Sequence, residues 1–354
     1  MQLDEQTLVA LAPTLLVNLR VARYVGDGMA VQMADLTVDD ARNVRRLYDS
    51  LAELLGRLRE ALCIPAGDGV APGGFSNGSP DVHDASTACI AAAMQVLADT
   101  AKDPAWRDAI GAARALRAPI SNGDTTQRQA IHDIRGGALA ALSLTIDLAG
   151  YGRISTADVV RTFYLTRDHL KIMRNALEDI DVAARQRDMN QRDHGAHLLL
   201  EKWTSAEHRQ PDDRSARVNV HTTYEGPVSQ RCLEFSALDR VLYNLMNNAV
   251  RFSSDGAVDL HLRALGENLR FVVANRVTTD QRSTLGARYA TGLGKLFLDN
   301  FTTGGEGVGM TICAEFVANA YGLSKVKQAV NGGYVGAELV GDAFVAWFHW
   351  PVGK

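Results

Sequence analysis

The segment from Ile131 to Gly136 places a histidine beside a carboxylate. His132 is followed at once by Asp133, and Arg135 lies about one helical turn beyond the histidine. An imidazole nitrogen can take a phosphoryl group if its lone pair is free and a base holds the ring proton. Asp133 is placed to act on that proton, and Arg135 to meet a phosphate or a partner's carboxylate. Because the chain has nine histidines, the segment taken alone favours the plainer interpretation, an exposed histidine on a helix.

A second polar group lies on the predicted helix Phe235 to Phe252. Asn244 and Asn248 are four residues apart, so that their side-chain oxygens point the same way from a helix. The alternative is a core helix with incidental asparagines. With Asn247, however, this makes three asparagines in five residues of an otherwise apolar helix, which argues against that alternative.

A glycine-rich segment precedes another predicted helix, Thr311 to Tyr321. Gly305, Gly307 and Gly309 alternate with other residues in it. Glycines let the backbone approach phosphate groups closely, and the N-terminus of the following helix offers amides to them. By itself, such a segment is also typical of an ordinary surface loop.

In this order the three segments resemble those of a two-component sensor histidine kinase, over about residues 125–354. The resemblance implies that His132 accepts the phosphoryl group and that Asp133 orients its ring. It also implies that Asn248 ligates the Mg²⁺ that bridges the phosphates of ATP, an oxygen-preferring cation. The residues that the resemblance assigns to the nucleotide site, including an aromatic box and a second glycine box, are Asn244, Asn248, Arg251, Asn275, Phe297, Phe301, Gly305, Gly307 and Gly309.

The chain departs from the family pattern in two places. The first glycine box is missing, and Asn275 stands where the family has its adenine-binding aspartate. An acceptor oxygen remains there, so we expect weaker nucleotide binding and not its absence. Gly136 stands where the family has a Thr or Asn, which predicts poor phosphatase activity, and Gly137 stands where it has a proline. Each glycine lowers the stability of a helix interior by about 1 kcal/mol, so we expect the helix to bend or fray here. The bend could transmit a signal or could equally reflect drift.

The pattern of apolar residues predicts three regions. Residues 1–120 are expected to be a helical input region, with a linker from Cys63 to Asp84. Residues 121–188 form a two-helix hairpin whose second helix is capped by Ser155 or Thr156. Since two helices cannot close a core, we expect a homodimer with a four-helix bundle and His132 on its outer surface. His169 and the charged run 185–192 are predicted to lie on a solvated helix face.

Residues 189–354 predict an α/β sandwich, so that the fold class is α+β, with a Bergerat-type ATP-binding domain by resemblance. The expected helices are Ala196–Trp203, Phe235–Phe252 and Thr311–Tyr321, and the expected strands are Val218–Thr223, Val258–Leu262, Leu269–Ala274 and Phe344–Trp350.

Composition limits the classes of partner and location. The chain has 354 residues, 46% of them hydrophobic, and a formal charge of -4, which excludes a disordered chain and disfavours nucleic acid as a partner. No signal peptide is evident, and the apolar stretch 136–150 falls short of the roughly 20 residues of a spanning helix. We therefore expect a cytoplasmic protein without membrane insertion, whose four cysteines are reduced and mostly buried.

The predicted function is a cytoplasmic, dimeric sensor histidine kinase. It uses ATP and Mg²⁺, phosphorylates His132 and passes the group to the receiver domain of a response regulator. The alternative from a different class is a pseudokinase or phosphotransfer adaptor that binds nucleotide weakly or not at all. A third possibility, an ATP hydrolase, is disfavoured because the hydrolytic relatives, such as gyrase and the heat-shock chaperones, carry a glutamate where this chain has Asn244.

Overall fold

The chain divides into two compact units. A computed structural model describes residues 31–64, 85–116, 125–190, 193–204, 207–209, 215–290, 292–299 and 309–352. One unit comprises residues 28–191, and the other contains residues 192–354. The first is helical and the second combines a mixed sheet with helices, which confirms the predicted α+β class. The predicted helix before residue 31 and most of the predicted linker lie outside the described residues.

Helices make up the first unit. They are α1 (Val38–Ala61), α2 (Thr87–Lys102), α3 (Pro104–Ala115), α4 (Thr125–Arg135), α5 (Gly137–Gly150), α6 (Thr156–Ala176) and α7 (Val182–Asn190), preceded by a 3-10 turn at Met33–Asp35. The predicted capping box is present at the start of α6, where the Ser155 hydroxyl accepts from the Asp158 amide and the Asp158 carboxylate accepts from the Ser155 amide. Among the described helices, none is both long and apolar enough to cross a membrane.

The core of this unit is closed by helices of one chain. The predicted leucine stripe of α1 is buried, and α1 packs against α6 while α2 packs against α5. The predicted inner faces of the hairpin are buried as well, with Leu142 and Met173 fully inaccessible to solvent. A homodimer was expected because the two hairpin helices alone could not close a core. In the described residues, other helices of the same chain close that core, so this reason is wrong. The homodimer itself stays a prediction that this packing does not test.

A buried ion pair joins three of these helices. The guanidinium of Arg174 donates from Nε and a terminal nitrogen to Asp188 Oδ2, at 2.8 and 2.6 Å. It also donates to the hydroxyl of Tyr48, at 3.3 Å, and that hydroxyl donates to Asp181. Burial raises the pKa of Tyr48 to about 12, although Arg174 opposes the shift. Because Asp188 is buried, and His169 is fully buried, the prediction of a solvated face for His169 and for the run 185–192 is wrong at these two residues.

The second unit is built on a six-stranded mixed sheet. Its strands run in the order β2-β3-β5-β6-β8-β7, with β3 and β5 parallel and the other neighbours antiparallel. The strands are β1 (His194–Gly195), β2 (Glu207–Arg209), β3 (Ser215–Thr222), β4 (Pro227–Ser229), β5 (Ala257–Leu265), β6 (Asn268–Arg276), β7 (Val335–Val340) and β8 (Ala343–Pro351). β1 and β4 form a separate small antiparallel pair.

Two long helices pack on this sheet. The helices of the unit are α8 (Ala196–Leu200), α9 (Cys232–Phe252), α10 (Thr279–Arg288), α11 (Gly309–Ala320) and α12 (Val326–Asn331), with a 3-10 helix at Leu293–Phe297. α9 packs against β5 and β6, α11 packs against β8, and the two helices pack against each other. All four predicted strands and all three predicted helices are confirmed, whereas β1, β2, β4, β7, α10 and α12 were not predicted.

The cysteines correct the sequence expectation. Cys63 and Cys89 form a disulfide, and Cys313 is a buried free thiol. The expectation of reduced thiols is therefore wrong for Cys63 and Cys89, and it no longer supports a cytoplasmic location. The pair comes together because α2 packs beside the end of α1, and cysteine spacing carries no sign of that packing.

Reducing the disulfide is expected to destabilise the helical unit. Reduction restores chain entropy to the unfolded state, which should lower the free energy of unfolding by about 3 kcal/mol for a loop of this length. The measurement is denaturant-induced unfolding with and without a thiol reductant. A Cys63→Ser/Cys89→Ser double variant should unfold at the same denaturant concentration as the reduced protein, and the reductant should not change its midpoint. An unchanged midpoint in the reduced wild type would contradict the expectation.

Candidate functional site

The predicted phosphoacceptor segment lies at the end of α4. His132 is in this helix, but its side chain lies outside what the structure describes. Asp133 is buried, and Arg135 is partly exposed as the last residue of the helix. Whether His132 is on the outer surface and whether Asp133 holds its ring both stay predictions.

A break in the helical hairpin follows at Gly136. α4 ends at Arg135 and α5 begins at Gly137, with Gly136 at a ψ of 172° between them. No side chain caps the start of α5, although the Leu139 amide donates to the Gly136 carbonyl at 2.9 Å. The predicted bend just past the histidine is therefore confirmed as a complete interruption of the helix. A terminated helix leaves carbonyls in its last turn that have no partner within the helix.

A histidine from α6 contacts one of these carbonyls. His169 Nε2 lies 3.0 Å from the carbonyl oxygen of Ile134. Burial lowers the pKa of His169 to about 4, while the bond to Ile134 and the charge of Asp133 oppose the shift. The ring is therefore neutral near pH 7, and because a carbonyl only accepts, Nε2 carries the proton. The sequence interpretation missed this residue, since nothing in the spacing distinguishes it from an exposed histidine.

In the second unit, the predicted asparagines lie on the polar edge of α9. The helix buries an apolar face that includes Leu242 and Met246. Asn244, Asn248 and Arg251 are instead only half-buried. Polar side chains at this depth can reach a ligand while the rest of the helix holds the core. Arg251 itself lies over the ring of Phe252, 5.2 Å from its centre.

The start of α11 stands beside these asparagines. A Cβ added at Gly309 would lie 3.8 Å from the side-chain Cγ and Oδ1 of Asn244. The side-chain nitrogen of Asn248 donates to the sulfur of Met310, at 3.5 Å, which leaves Asn248 Oδ1 to bind a cation. The structure thus brings together Asn244, Asn248 and Gly309, and adds Met310, a contact that the sequence interpretation did not include.

A buried thiol lies behind Asn244. Cys313 Sγ is 3.7 Å from the carbonyl oxygen of Val241, one turn earlier on α9. Burial raises the pKa of Cys313 to about 12, although a hydrogen bond with the Asn244 side chain opposes the shift. The thiol is therefore protonated near pH 7 and supports the asparagine from the core side.

Asn275 lies at the end of β6, close to where α9 ends. Its side-chain nitrogen donates to the carbonyl oxygen of Arg276 at 3.1 Å. The same carbonyl accepts from the Ser254 amide at 3.0 Å, two residues past α9. This places Asn275 at the Arg251 end of the helix, where its side chain is buried. The adenine contact assigned to it stays a prediction.

The remaining predicted residues divide into two groups. Phe297 is fully buried at the end of the 3-10 helix, which packs against α11, and its place in the nucleotide site stays a prediction. Phe301, Gly305 and Gly307 lie outside the described residues.

Among the described residues, no cluster of three or more His, Cys, Asp or Glu side chains could hold a metal ion. A Mg²⁺ at Asn248 would therefore take most of its ligands from phosphates and water, as this cation commonly does. The amide oxygen fits such a site, because Mg²⁺ prefers oxygen ligands.

A cavity of about 470 Å³ lies elsewhere in this unit, between α10, the 3-10 helix, α12 and the edge strand β7. Its lining includes Tyr289, Leu293, Glu338 and Trp347, and none of the predicted nucleotide-binding residues. The edge of α9 supplies amide oxygens and lies beside a helix N-terminus, whereas the cavity walls are largely apolar or glycine.

Comparison with known proteins gives one family match. Residues 234–349 match the family described as histidine kinase-, DNA gyrase B-, and HSP90-like ATPase. That range contains most of α9, all of β5, β6 and α11, and most of β8. The matched part of the second unit therefore resembles a histidine-kinase-like ATPase domain, a class of domain that binds ATP. No curated protein matches the chain.

Several solved structures resemble parts of the chain. Full-length ShkA in complex with AMPPNP is 20% identical, with a TM-score of 0.33, over 55% of this chain and 38% of that one. The nucleotide-free catalytic domain of histidine kinase ThkA is 20% identical, with a TM-score of 0.29, over 39% and 80%. Histidine kinase AdeS of Acinetobacter baumannii is 12% identical, with a TM-score of 0.28, over 63% and 98%. Likenesses of this size carry no argument about function.

Acidification is expected to destabilise the protein through His169. The pKa of its ring is about 4 in the folded protein against an ordinary 6.5, so between these values the unfolded chain binds a proton that the folded chain does not. The contribution to stability is complete above pH 6.5 and is lost as the pH falls toward 4. Unfolding midpoints measured across this range should fall less steeply in His169→Met than in the wild type. Substitution of the exposed His197 by Gln should leave the slope unchanged, and parallel slopes for all three proteins would contradict the assignment.

Proposed function

We propose that the protein is a histidine kinase, which transfers the γ-phosphoryl group of Mg-ATP to His132 and passes it to an aspartate of a response-regulator receiver domain. The observation that carries the proposal is the half-buried pair Asn244 and Asn248, which stands against the start of α11 inside an ATPase domain. A helix N-terminus beside amide oxygens suits a nucleotide phosphate with its cation.

Each nucleotide contact then has a defined role. Asn248 Oδ1 would hold Mg²⁺, which would supply positive charge to neutralise the phosphates. Arg251 leaves the Phe252 ring to contact phosphate. Asn275 accepts a hydrogen bond from the adenine amine through its side-chain oxygen. Phe301, Gly305 and Gly307 complete the site as the resemblance implies.

In the transfer step, an imidazole nitrogen of His132 forms a bond to the γ-phosphorus. The bond from that phosphorus to the bridging oxygen breaks, and ADP leaves with the electron pair. The ring proton passes toward Asp133. In the second step a carboxylate of the response regulator attacks the phosphorus and releases the imidazole. Arg135 meets the phosphate or that carboxylate.

Two residues favour transfer over hydrolysis. Asn244 replaces the glutamate that activates water in the hydrolytic relatives, so a water molecule at the γ-phosphate has no carboxylate base there. Gly136 lacks the side chain that positions water for dephosphorylation of the regulator. The site therefore accepts a phosphoryl group and transfers it to the regulator, but dephosphorylates the regulator poorly.

The remaining parts of the proposal rest on the resemblance. Residues 1–120 act as an input region, 121–188 as the dimerisation and phosphotransfer region, and 189–354 as the catalytic region. The active species is a cytoplasmic homodimer. Because the helical core is closed within one chain, the second copy would add to the outside of that core.

The alternative is a phosphotransfer adaptor or pseudokinase that binds nucleotide poorly. One observation favours it: the amide at Asn275 carries no charge, and its nitrogen is committed to the Arg276 carbonyl. A neutral acceptor binds the adenine amine less strongly than a carboxylate does.

Labelling distinguishes the two functions. Purified protein incubated with γ-labelled ATP and Mg²⁺ should acquire acid-labile, alkali-stable label, as expected of a phosphoramidate. His132→Ala should acquire none. A wild type that takes up no label from ATP, but accepts it from a phosphorylated regulator, would establish the adaptor function and refute the kinase.

Removing the proposed metal ligand should weaken nucleotide binding only when Mg²⁺ is present. Asn248→Ala is expected to lower the affinity for Mg-AMPPNP by about 10-fold, a free-energy loss near 1.4 kcal/mol. Calorimetric titrations with Mg²⁺ and with EDTA make the comparison. Asn247→Ala, a neighbouring half-buried asparagine, serves as the matched control and should bind as the wild type does. Equal losses in both titrations would exclude Asn248 as the ligand.

A further inference from the structure

The end of α4 is held from outside the helix. An uninterrupted helix would pass from Ile134 through Gly136 into α5, and its carbonyls would accept backbone amides four residues on. Because the helix stops at Arg135, the Ile134 carbonyl belongs to the last turn, whose carbonyls need partners from elsewhere. The partner it has is the ring of His169 on α6.

The geometry of that ring is fixed by packing. His169 is fully buried. Its second nitrogen, Nδ1, is also buried and has no hydrogen-bond partner among the described residues. Within the part of the chain that the structure describes, the ring therefore makes one hydrogen bond, to the carbonyl of Ile134. A buried side chain with a single polar contact cannot turn away without leaving both groups unsatisfied, at a cost of about 1–3 kcal/mol each.

The contact lies two residues beyond His132. One residue of a helix corresponds to a rotation of 100°, so a slip of the last turn of α4 by a single residue would swing His132 onto a different face. The bond to Ile134 opposes such a slip at the point where the Gly136 interruption makes the helix weakest.

We propose that His169 is a positioning residue, which holds the end of α4 through the Ile134 carbonyl and thereby sets the direction of His132 for phosphorylation. This inference rests on the proposed role of His132. His169 touches neither the nucleotide nor the reacting atoms, so it acts through the backbone of α4 alone.

Two substitutions of nearly equal volume separate this role from packing. His169→Met fills the space without a donor, whereas the side-chain nitrogen of His169→Gln can reach the carbonyl as Nε2 does. The Met variant should lower the initial rate of His132 labelling by about 10-fold or more, since small misplacements of reacting groups cost rate steeply. The Gln variant should recover most of that rate. The affinity for Mg-AMPPNP should stay unchanged in both, because the nucleotide residues lie in the other unit.

Amide hydrogen exchange around residues 135–139 supplies a readout that does not depend on catalysis. Exchange should be faster in the Met variant than in the wild type, and close to the wild type in the Gln variant. Equal loss of rate in both variants, or wild-type rate in the Met variant, would overturn the positioning role. A wild type that takes up no label would refute the kinase function itself. In that case the exchange rates still decide whether His169 holds the end of α4.

Discussion

The second unit depends on one constraint: α9 has to bury an apolar face against the sheet while it keeps its amide side chains half-buried at its edge. Burying one large aliphatic side chain stabilises a protein by about 1.5–3 kcal/mol, and α9 contributes several, among them Leu238, Leu242 and Met246. Turning the helix by one residue would expose that face. The direction of Asn244 and Asn248 is therefore set by hydrophobic burial, and the contacts with Gly309 and Met310 follow from it.

The helical unit is governed by buried charge. α6 is buried along most of its length, including polar residues that a surface helix would expose. Arg174 forms a buried ion pair with Asp188, and removal of one partner would destabilise the protein by about 3–5 kcal/mol. A hydrogen bond from Arg174 to Tyr48 links this pair to α1. Such a pair fixes both the rotation of α6 and its position along its axis. His169, five residues before Arg174, is brought to the Ile134 carbonyl by the same placement.

Local patterns predicted the elements, and tertiary contacts decided the rest. The leucine stripe of α1, the inner faces of the hairpin and four strands follow from periodic burial, which sequence records directly. The capping box at Ser155 is a four-residue signal. In contrast, the Cys63–Cys89 bond and the burial of His169 arise from helices that meet in space, and no spacing in the chain encodes either. β7 was missed because Gly336 interrupts its apolar pattern, yet an added Cβ there would lie 2.6 Å from the ring of Trp347. Of the candidate nucleotide site, the sequence predicted the asparagines and Gly309, but not their neighbours Met310 and Cys313.

The interruption at Gly136 bears on the choice between a kinase and an adaptor. Drift of an unused turn would leave a frayed helix end, with carbonyls exposed to water or buried without partners. The observed end is instead defined: the Ile134 carbonyl has a buried donor, and the Leu139 amide begins a new helix on the Gly136 carbonyl. Each of two adjacent glycines would lower the stability of a continuous helix by about 1 kcal/mol. The loss is small where the helix ends, because ψ of Gly136 lies outside the helical region. A helix end with these compensations suits a segment whose direction matters, which favours a phosphoacceptor at His132 over a surface that has lost its role.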